Sequence, residues 1–468
     1  MKSFKYEIFT SFIEKNINEG IYMPGHKLPS VREVKDKYQI SISTVQSGYE
    51  YLMIRGLVVS IPKSGYFVGT ASEKKQEKIS SRRKPVVRDP LFKNNLLLTT
   101  SLRSGRQLSE FNVAAPGDLL VPQKLLLRTM QQVIREEGAS LLRYYPANGS
   151  SDLRNTISRY AAGYQTVLPP EELLITDGAL QSLYIALSSV CTAGDVIAVE
   201  SPCVFSVLEI IRVLHLKVIE IPADTQSGLD VDFFRKACEK NTIKAVLVTP
   251  NFHNPTGILL SDEKKKELLR IIQHEGIALI ENDIYGDLSF TNKRPLPVKA
   301  FDESGLVMTY SSYSKTLAPG IRLGWLSAGR FMERAEQIRF SLGSSVSPVY
   351  QETVNRLLKT NSYDRHLRHF RMQLAKNAHL TVRLLSENFP KDTTLLTPSG
   401  GYNLWVRMPD RVNMEGFYRQ CNKIGVRFTP GYTFSFSGIF SNYFRIVFSN
   451  NYTTQRIEAL RLAGQLAG

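Results

Sequence analysis

The residues best equipped for chemistry lie between Tyr310 and Trp325, in the run Y-S-S-Y-S-K-T-L-A-P-G-I-R-L-G-W. One lysine, Lys315, stands among Ser311, Ser312 and Ser314, and Pro319-Gly320 and Arg322 follow it. An amine, several hydroxyls and a guanidinium in one short stretch could converge on a single anionic ligand, and the combination suits a phosphate-bearing aldehyde. A lysine condenses with an aldehyde only after losing its proton, which burial and nearby positive charge promote. Arg322 would supply that charge and also bind phosphate. Taken alone, the same residues also describe a loop lysine beside a solvated serine cluster. The elements that would position them must decide.

Those elements alternate. Apolar runs at 173–176, 196–199 and 245–248 are each followed by a helical segment, at 181–190, 204–213 and 262–274. Runs at 277–280 and 306–310 have the length of further buried strands. The pattern predicts a three-layer α/β domain, in which ligands sit at the carboxyl ends of strands. The interesting residues fall there: Gly178-Ala179-Leu180 after the first run, Asn254-Pro255-Thr256-Gly257 after the third, Asp283 and Tyr285 after the fourth, Lys315 after the fifth. Gly178-Ala179-Leu180 opens a helix, whose free N–H groups and positive end can hold a phosphate.

G-A-L, N-P-T-G, D-x-Y and S-x-S-K-x-x-x-P-G-x-R-x-G, in that order, resemble the fold-type-I aminotransferases that use pyridoxal 5'-phosphate (PLP). The resemblance covers nearly all of 110–460. It implies a Schiff base between Lys315 and PLP, with Lys315 then acting as the base that shifts a proton. It implies that Asp283 pairs with the ring nitrogen and that Asn254 and Tyr285 bond the phenolic oxygen. Ser312, Arg322 and the backbone of Gly178, Ala179 and Leu180 would bind the phosphate. Tyr144, in Y-Y-P-A-N-G-S-S-D-L-R, matches a tyrosine that reaches a neighbouring subunit's phosphate, implying a homodimer. Arg445, in N-Y-F-R-I-V-F, matches the arginine that takes a substrate α-carboxylate in a bidentate fork. Individually each has a plainer reading: Asp283 as a helix cap, Asn254-Pro255 as a turn, Tyr144 as core packing, Arg445 as a surface cation. Two departures stand out. Val204 occupies the position of a ring-stacking aromatic, with Phe205 beside it, and Ala114-Ala115-Pro116-Gly117 replaces a glycine-proline-aspartate opening.

The remainder of the chain carries a different kind of signal. A length of 468 residues suggests about two to four domains. The net charge of +16 favours a polyanionic partner, and residues 1–100 hold 17 Lys+Arg against 9 Asp+Glu, a net of +8 and half the excess. Cys191, Cys203, Cys238 and Cys421 have no paired spacing, which fits a reducing cytoplasm and argues against a disulfide framework or a metal site. No apolar run suggests a membrane span or a secretory leader.

Residues 1–70 account for the basic end. Phe4, Ile8, Phe9, Phe12, Ile13 and Ile17 recur at helical spacing up to Gly20. Pro29-Ser30 begins a second helix, with Ser30 and Glu33 spaced as a capping box. Ser41 opens a third, with Val45, Tyr49, Leu52 and Met53 on one face. Segments 57–61 and 65–68 form a hairpin around Pro62-Lys63-Ser64. These features resemble the GntR-type winged helix-turn-helix, matched from Pro24 to Val68. The resemblance implies a major-groove helix presenting Ser41, Ser43, Thr44 and Gln46 to double-stranded operator DNA. Pro29, Ser30 and the phosphate clamp Arg32 would flank it, and the wing tip Ser64-Gly65 would sit near the minor groove. This chain has Ile42 and Gln46 where the family often carries arginine, which weakens guanine reading. A small helical packing module is the plainer alternative.

Residues 71–109, rich in Ser, Lys, Glu and Arg, are a linker too polar to fold alone. Its run Ser80-Ser81-Arg82-Arg83-Lys84 is a solvated stretch or a non-specific DNA contact. Residues 110–468 form the aminotransferase-like part, with a large domain of about 140–325 and a small one from 110–139 and 326–468. Head, linker and aminotransferase-like remainder together resemble the MocR subfamily of GntR-type transcriptional regulators, which implies a DNA-binding regulator that senses PLP or a small amino compound. The alternatives are a working aminotransferase with secondary DNA binding and a cofactor-free scaffold.

Overall fold

Ser30 stops the chain from continuing as a loop. Its hydroxyl accepts from the Glu33 N–H, and the Glu33 carboxylate takes the Ser30 N–H at 2.6 Å, so two otherwise unpaired helix-start donors are satisfied reciprocally. The structure, a computed structural model, describes residues 7–54, 57–61, 64–69, 84–91, 109–224, 227–291, 293–343 and 345–468. It divides into two units, 1–77 and 78–468.

The first unit contains α1 (Glu7–Asn18), α2 (Val31–Tyr38) and α3 (Ile42–Ile54), then β1 (Val58–Ile61) paired antiparallel with β2 (Gly65–Val68). Phe9, Ile13, Leu28, Val34, Val45, Tyr49, Leu52, Val58 and Val68 make its core. Gly48 is required there: a Cβ would stand 2.2 Å from the Phe9 ring. Ile8 and Phe12 are exposed, a correction to the expected apolar face of α1, because so small a core covers only one stripe of that helix. Phe4, Pro62 and Lys63 lie outside the described residues.

In the second unit one nine-stranded sheet dominates, ordered β3-β7-β6-β9-β10-β11-β12-β5 with β8 beside β7. Its strands are β3 (Val87–Arg88), β5 (Leu173–Thr176), β6 (Val196–Ser201), β7 (Lys217–Asp224), β8 (Gly228–Leu229), β9 (Ile243–Val248), β10 (Ala278–Asn282), β11 (Val307–Ser312) and β12 (Gly324–Ser327). The short β4 (Ser109–Glu110) pairs with Val426–Arg427 instead. Parallel pairing runs from β7 through β6, β9 and β10 to β11, while β12 is antiparallel to both β11 and β5. Of the helices that follow, α4 is Gln123–Glu137, α5 Ser151–Ala162, α6 Ala179–Val190, α7 Phe205–Val213, α8 Val231–Lys240 and α9 Asp262–Glu275. Residues of α6 and α7 pack on one face of the sheet, through Leu183, Ile185, Leu208 and Ile211. Residues of α8 and α9 cover the other, through Phe234, Leu268 and Ile272.

Two features differ from expectation. Strand β7 lies outside the expected set and carries Pro222, a residue that by itself argues against a sheet interior. The expected linker contains β3, which pairs antiparallel with β7, Val87 opposite Ile219. The rest of that linker, 71–83 and 92–108, lies outside the described residues. A second sheet, Thr394–Leu395, Asn403–Arg407, Tyr443–Val447 and Thr429–Pro430, is antiparallel throughout and carries Arg445 on its third strand.

Candidate functional site

Lys315 sits in the turn after β11, one residue beyond Ser314. Its Nζ donates to the Ala114 carbonyl at 2.6 Å, and Tyr402 Oη donates to the Lys315 carbonyl. Removal from water lowers the amine to about 8, and the positive charges of Arg445 and Arg322 push the same way. A free-base amine is thereby within reach near neutral pH. The backbone that binds it is the Ala114 opening, which a search for side-chain donors does not find.

Beside Lys315 the phosphate-binding groups expected from sequence are brought together. Helix α6 begins at Gly178, φ 95°, with no side chain capping its first turn, so the Ala179 and Leu180 N–H groups face outward from the helix start. A Cβ on Gly178 would lie 3.2 Å from the Arg322 guanidinium, which itself donates to the Asp177 carbonyl at 2.8 Å. Gly324 is equally constrained: its Cβ would stand 2.8 Å from the Gly178 backbone. Ser312 is buried, donates to the Leu323 carbonyl at 3.0 Å and lies 2.7 Å from Ser314 Oγ. The combination has the donors to hold an anion, with the Lys315 amine next to it.

Asn254 links this group to the second sheet. Its Nδ2 donates to Tyr285 Oη at 3.3 Å, and its Oδ1 accepts from Arg445 at 3.0 Å. Arg445 is almost completely buried, bonds Thr429 Oγ1 and the Asn112 carbonyl, and leaves Nε without a partner among the described residues. Burial lowers it to about 10, and the charge acting on it is the Tyr285 phenol rather than a carboxylate. A buried guanidinium with no carboxylate partner among the described residues is costly, and such a group suits an anionic ligand. The surface-cation reading of Arg445 fails on this burial, and so does core packing for Tyr144, whose side chain is 90% exposed. Phe205 places its ring 5.9 Å from the Arg445 guanidinium and 5.9 Å from the Phe434 ring. Val204 packs with the α6–α7 side of the core.

Asp283 is not brought into this group. Its carboxylate accepts from Asn251 Nδ2 at 2.8 Å and pairs with Arg294, which also holds Asp287 at 2.7 Å. Asn251 in turn accepts from Lys265 Nζ of α9 at 3.0 Å. The expected ring-nitrogen partner therefore spends its charge on a buried chain running toward α9. Sequence motifs missed Arg294 because it lies in a loop without periodicity.

In the first unit, Ser41 caps α3: the Thr44 N–H donates to its hydroxyl at 3.1 Å, and Ser43 Oγ and Thr44 Oγ1 lie 2.9 and 2.7 Å away. Ser41, Ser43 and Gln46 are exposed, as are Ser30, Arg32 and the wing-tip Ser64, with Gly65 at φ 108°. Pro29 is held from beneath by Tyr49, whose Oη donates to its carbonyl and whose ring stacks on Tyr66 at 3.9 Å. A polar helix start and a wing thus share one small scaffold.

A large α/β unit with an amine, an anion cradle and a buried arginine defines an aminotransferase-like domain. Residues 115–461 match the aminotransferase class I and II family, and residues 10–68 match the bacterial regulatory proteins of the gntR family. The chain belongs to the MocR subfamily of GntR-type regulators, in which these two parts are fused. It is 32% identical over 463 residues to the uncharacterised HTH-type transcriptional regulator YjiR of Escherichia coli K12, covering 98% of each. It is 30% identical over 465 residues to YdcR of the same organism, likewise an uncharacterised HTH-type transcriptional regulator, covering 99% of this chain and 98% of YdcR. Among solved structures, the multiple substrate aminotransferase of Thermococcus profundus superposes with a TM-score of 0.75 at 21% identity, over 81% of this chain and 95% of that one. The α-aminoadipate aminotransferase LysN of Thermus thermophilus, complexed with N-(5'-phosphopyridoxyl)-L-leucine, gives 0.72 at 24%, over 76% and 91%.

Proposed function

We propose that this chain is a cytoplasmic, homodimeric DNA-binding transcriptional regulator whose aminotransferase-like domain binds PLP through Lys315 and senses PLP or a small amino compound. The observation that carries the reading is the pairing of two desolvated cations, Lys315 and Arg445, with an uncapped helix start. That donor set fits PLP. Gly178, Ala179, Leu180, Ser312 and Arg322 suit its phosphate, Lys315 its aldehyde, and Asn254 with Tyr285 its phenolic oxygen. Arg445 suits the carboxylate of an amino acid bound beside it. PLP supplies an electrophilic carbon and an electron-withdrawing ring. The protein's part is to bind the phosphate, keep Lys315 near its free-base form and hold the incoming carboxylate in a two-pronged grip. Lys315, once released from the cofactor, is the base placed to take a proton.

The exposed Tyr144 supports the dimer, because a tyrosine without a place in its own core is free to reach a partner copy's phosphate. Division of 110–468 into a large part, about 140–325, and a small one belongs to the same reading. In the head, Ser41, Ser43, Thr44 and Gln46 would meet the major groove, flanked by Pro29, Ser30 and the phosphate clamp Arg32, with the wing-tip Ser64-Gly65 near the minor groove. No helix among the described residues is long and apolar enough to cross a membrane. Purified protein given PLP should show the visible band of a lysine-bound cofactor and lose it in Lys315→Ala. Absence of the band in wild type would remove the reading.

A further inference from the structure

The ends of the central strands assign a different residue to the cofactor's ring nitrogen, an inference that rests on the PLP reading above. In pyridoxal the nitrogen lies para to the aldehyde carbon. With the aldehyde at Lys315 and the phosphate at the start of α6, the nitrogen would lie on the side away from Lys315, and the carboxyl end of β10, next to β11, is the strand end that would meet it. Two side chains stand there, Asn282 and Asp283, and successive strand residues face opposite sides of a sheet.

The register settles which side each takes. Ile280 pairs with Met308 and Asn282 with Tyr310, and Ile280, Met308 and Tyr310 all belong to the core shared with α6 and α7. Leu279 pairs with Val307 and Glu281 with Thr309. Leu279 and Val307 belong to the core shared with α8 and α9, and Thr309 Oγ1 donates to Glu281 at 3.0 Å. Asn282 is thus on the side where α6 offers its helix start. Asp283 continues on the other side, tied to Asn251 and Arg294 and, through Asn251, to Lys265 of α9.

We propose that Asn282, and not Asp283, meets the ring nitrogen. Asn282 is 8% exposed, and its Oδ1 accepts the Ile284 N–H at 3.2 Å. That bond fixes the amide orientation, so the NH₂ end is the one left over, with no partner among the described residues. An NH₂ group can only donate, and it therefore selects a pyridine nitrogen that carries no proton. A carboxylate at the same place would do the opposite and hold the nitrogen protonated. An unprotonated ring withdraws electrons less strongly, which slows removal of the Cα proton from a bound amino acid. The site then captures amino compounds without turning them over quickly, as a sensor requires.

The test is the protonation state of the nitrogen itself, read by solid-state NMR of protein loaded with ring-¹⁵N PLP at neutral pH. Wild type is expected at the unprotonated pyridine position and Asn282→Asp at the pyridinium position. Asp283→Asn is expected to leave the resonance where wild type has it. In parallel, Asn282→Asp should speed the transfer of an amino group from an amino acid to PLP, giving a 2-oxo acid and pyridoxamine phosphate. A gain of about a hundredfold is expected, at the low end of what one preorganised electrostatic group contributes. A pyridinium signal in wild type would overturn the assignment, and its loss in Asp283→Asn would transfer the role to that residue. Should Asp283→Asn fail to fold because Arg294 loses its partner, wild type and Asn282→Asp still decide. Failure of wild type to form the lysine-bound band would refute the PLP reading and this assignment together, whereas a normal band with a pyridinium signal refutes only Asn282.

Discussion

The two units place their functional groups in opposite environments. In the head, Arg32, Ser41, Ser43 and Gln46 are exposed, so a contact from Arg32 to DNA would be screened by salt and binding would add up over many weak contacts. In the larger unit Lys315 and Arg445 are withdrawn from water, and their proton affinities are lowered to about 8 and about 10. There, one group can decide whether a ligand binds. On the proposed reading, specificity for a small molecule would reside in burial, and affinity for a polyanion in surface charge and shape.

The sharpest way to break the comparison is Lys315→Ala. It should abolish covalent retention of PLP, read as loss of the visible band after gel filtration, while DNA affinity in the absence of PLP stays the same. Next in size, Arg445→Ala should weaken amino-acid binding to the holoprotein by about a hundredfold, as expected when one partner of a buried charged pair is removed. Spectral titration with amino acids measures it, and the PLP band itself should persist. A third effect follows from Lys315's proton. Its affinity is depressed, so the reactive free base dominates above about 8. Capture of PLP by apo protein should slow as pH falls below that value, by about tenfold per unit, and level off above it; stopped-flow absorbance across pH 6 to 9 would follow it. A rate indifferent to pH would mean that Lys315 is not the group being titrated. The head gives smaller changes. Arg32→Ala should reduce the slope of log affinity against log salt by about 1 and leave PLP binding alone. Ser30→Ala, which removes the cap of α2, should lower the head's thermal midpoint by a few degrees.

How much of this was legible in the sequence depended on whether a residue acts through its own side chain. Lys315, Asn254 and Tyr285 could be picked out because their motifs follow strand ends, Arg322 and Arg445 by motif alone, and the structure groups them. Ala114 was visible only as a departure from a family pattern, since its contribution is a carbonyl that any residue could offer. Strand β3 was illegible for a related reason: Val87 and Arg88 sit in a polar stretch, and their strand conformation comes from the edge of β7 rather than from local preference. Asp283 was named for its place in a D-x-Y motif. Counting alternation backward from Asp283 to Glu281 and Leu279 would have put it on the α9 face, and Asn282 with Ile280 on the α6 face. The motif fixed which turn mattered, and the pleat decided which of two neighbours faces the ligand.

Sensing would require coupling between the two parts, with PLP binding more tightly to one arrangement of the heads than to another. By reciprocity, DNA must then change PLP affinity by the same factor. The most direct measurement is a band-shift titration on the DNA upstream of the chain's own coding sequence, run with and without PLP and a candidate amine, for wild type and Lys315→Ala. The ligand is expected to change the apparent Kd of wild type by several-fold and to leave Lys315→Ala unmoved. Identical affinity of wild type with and without the ligand, under conditions where the visible band shows the site filled, would contradict it.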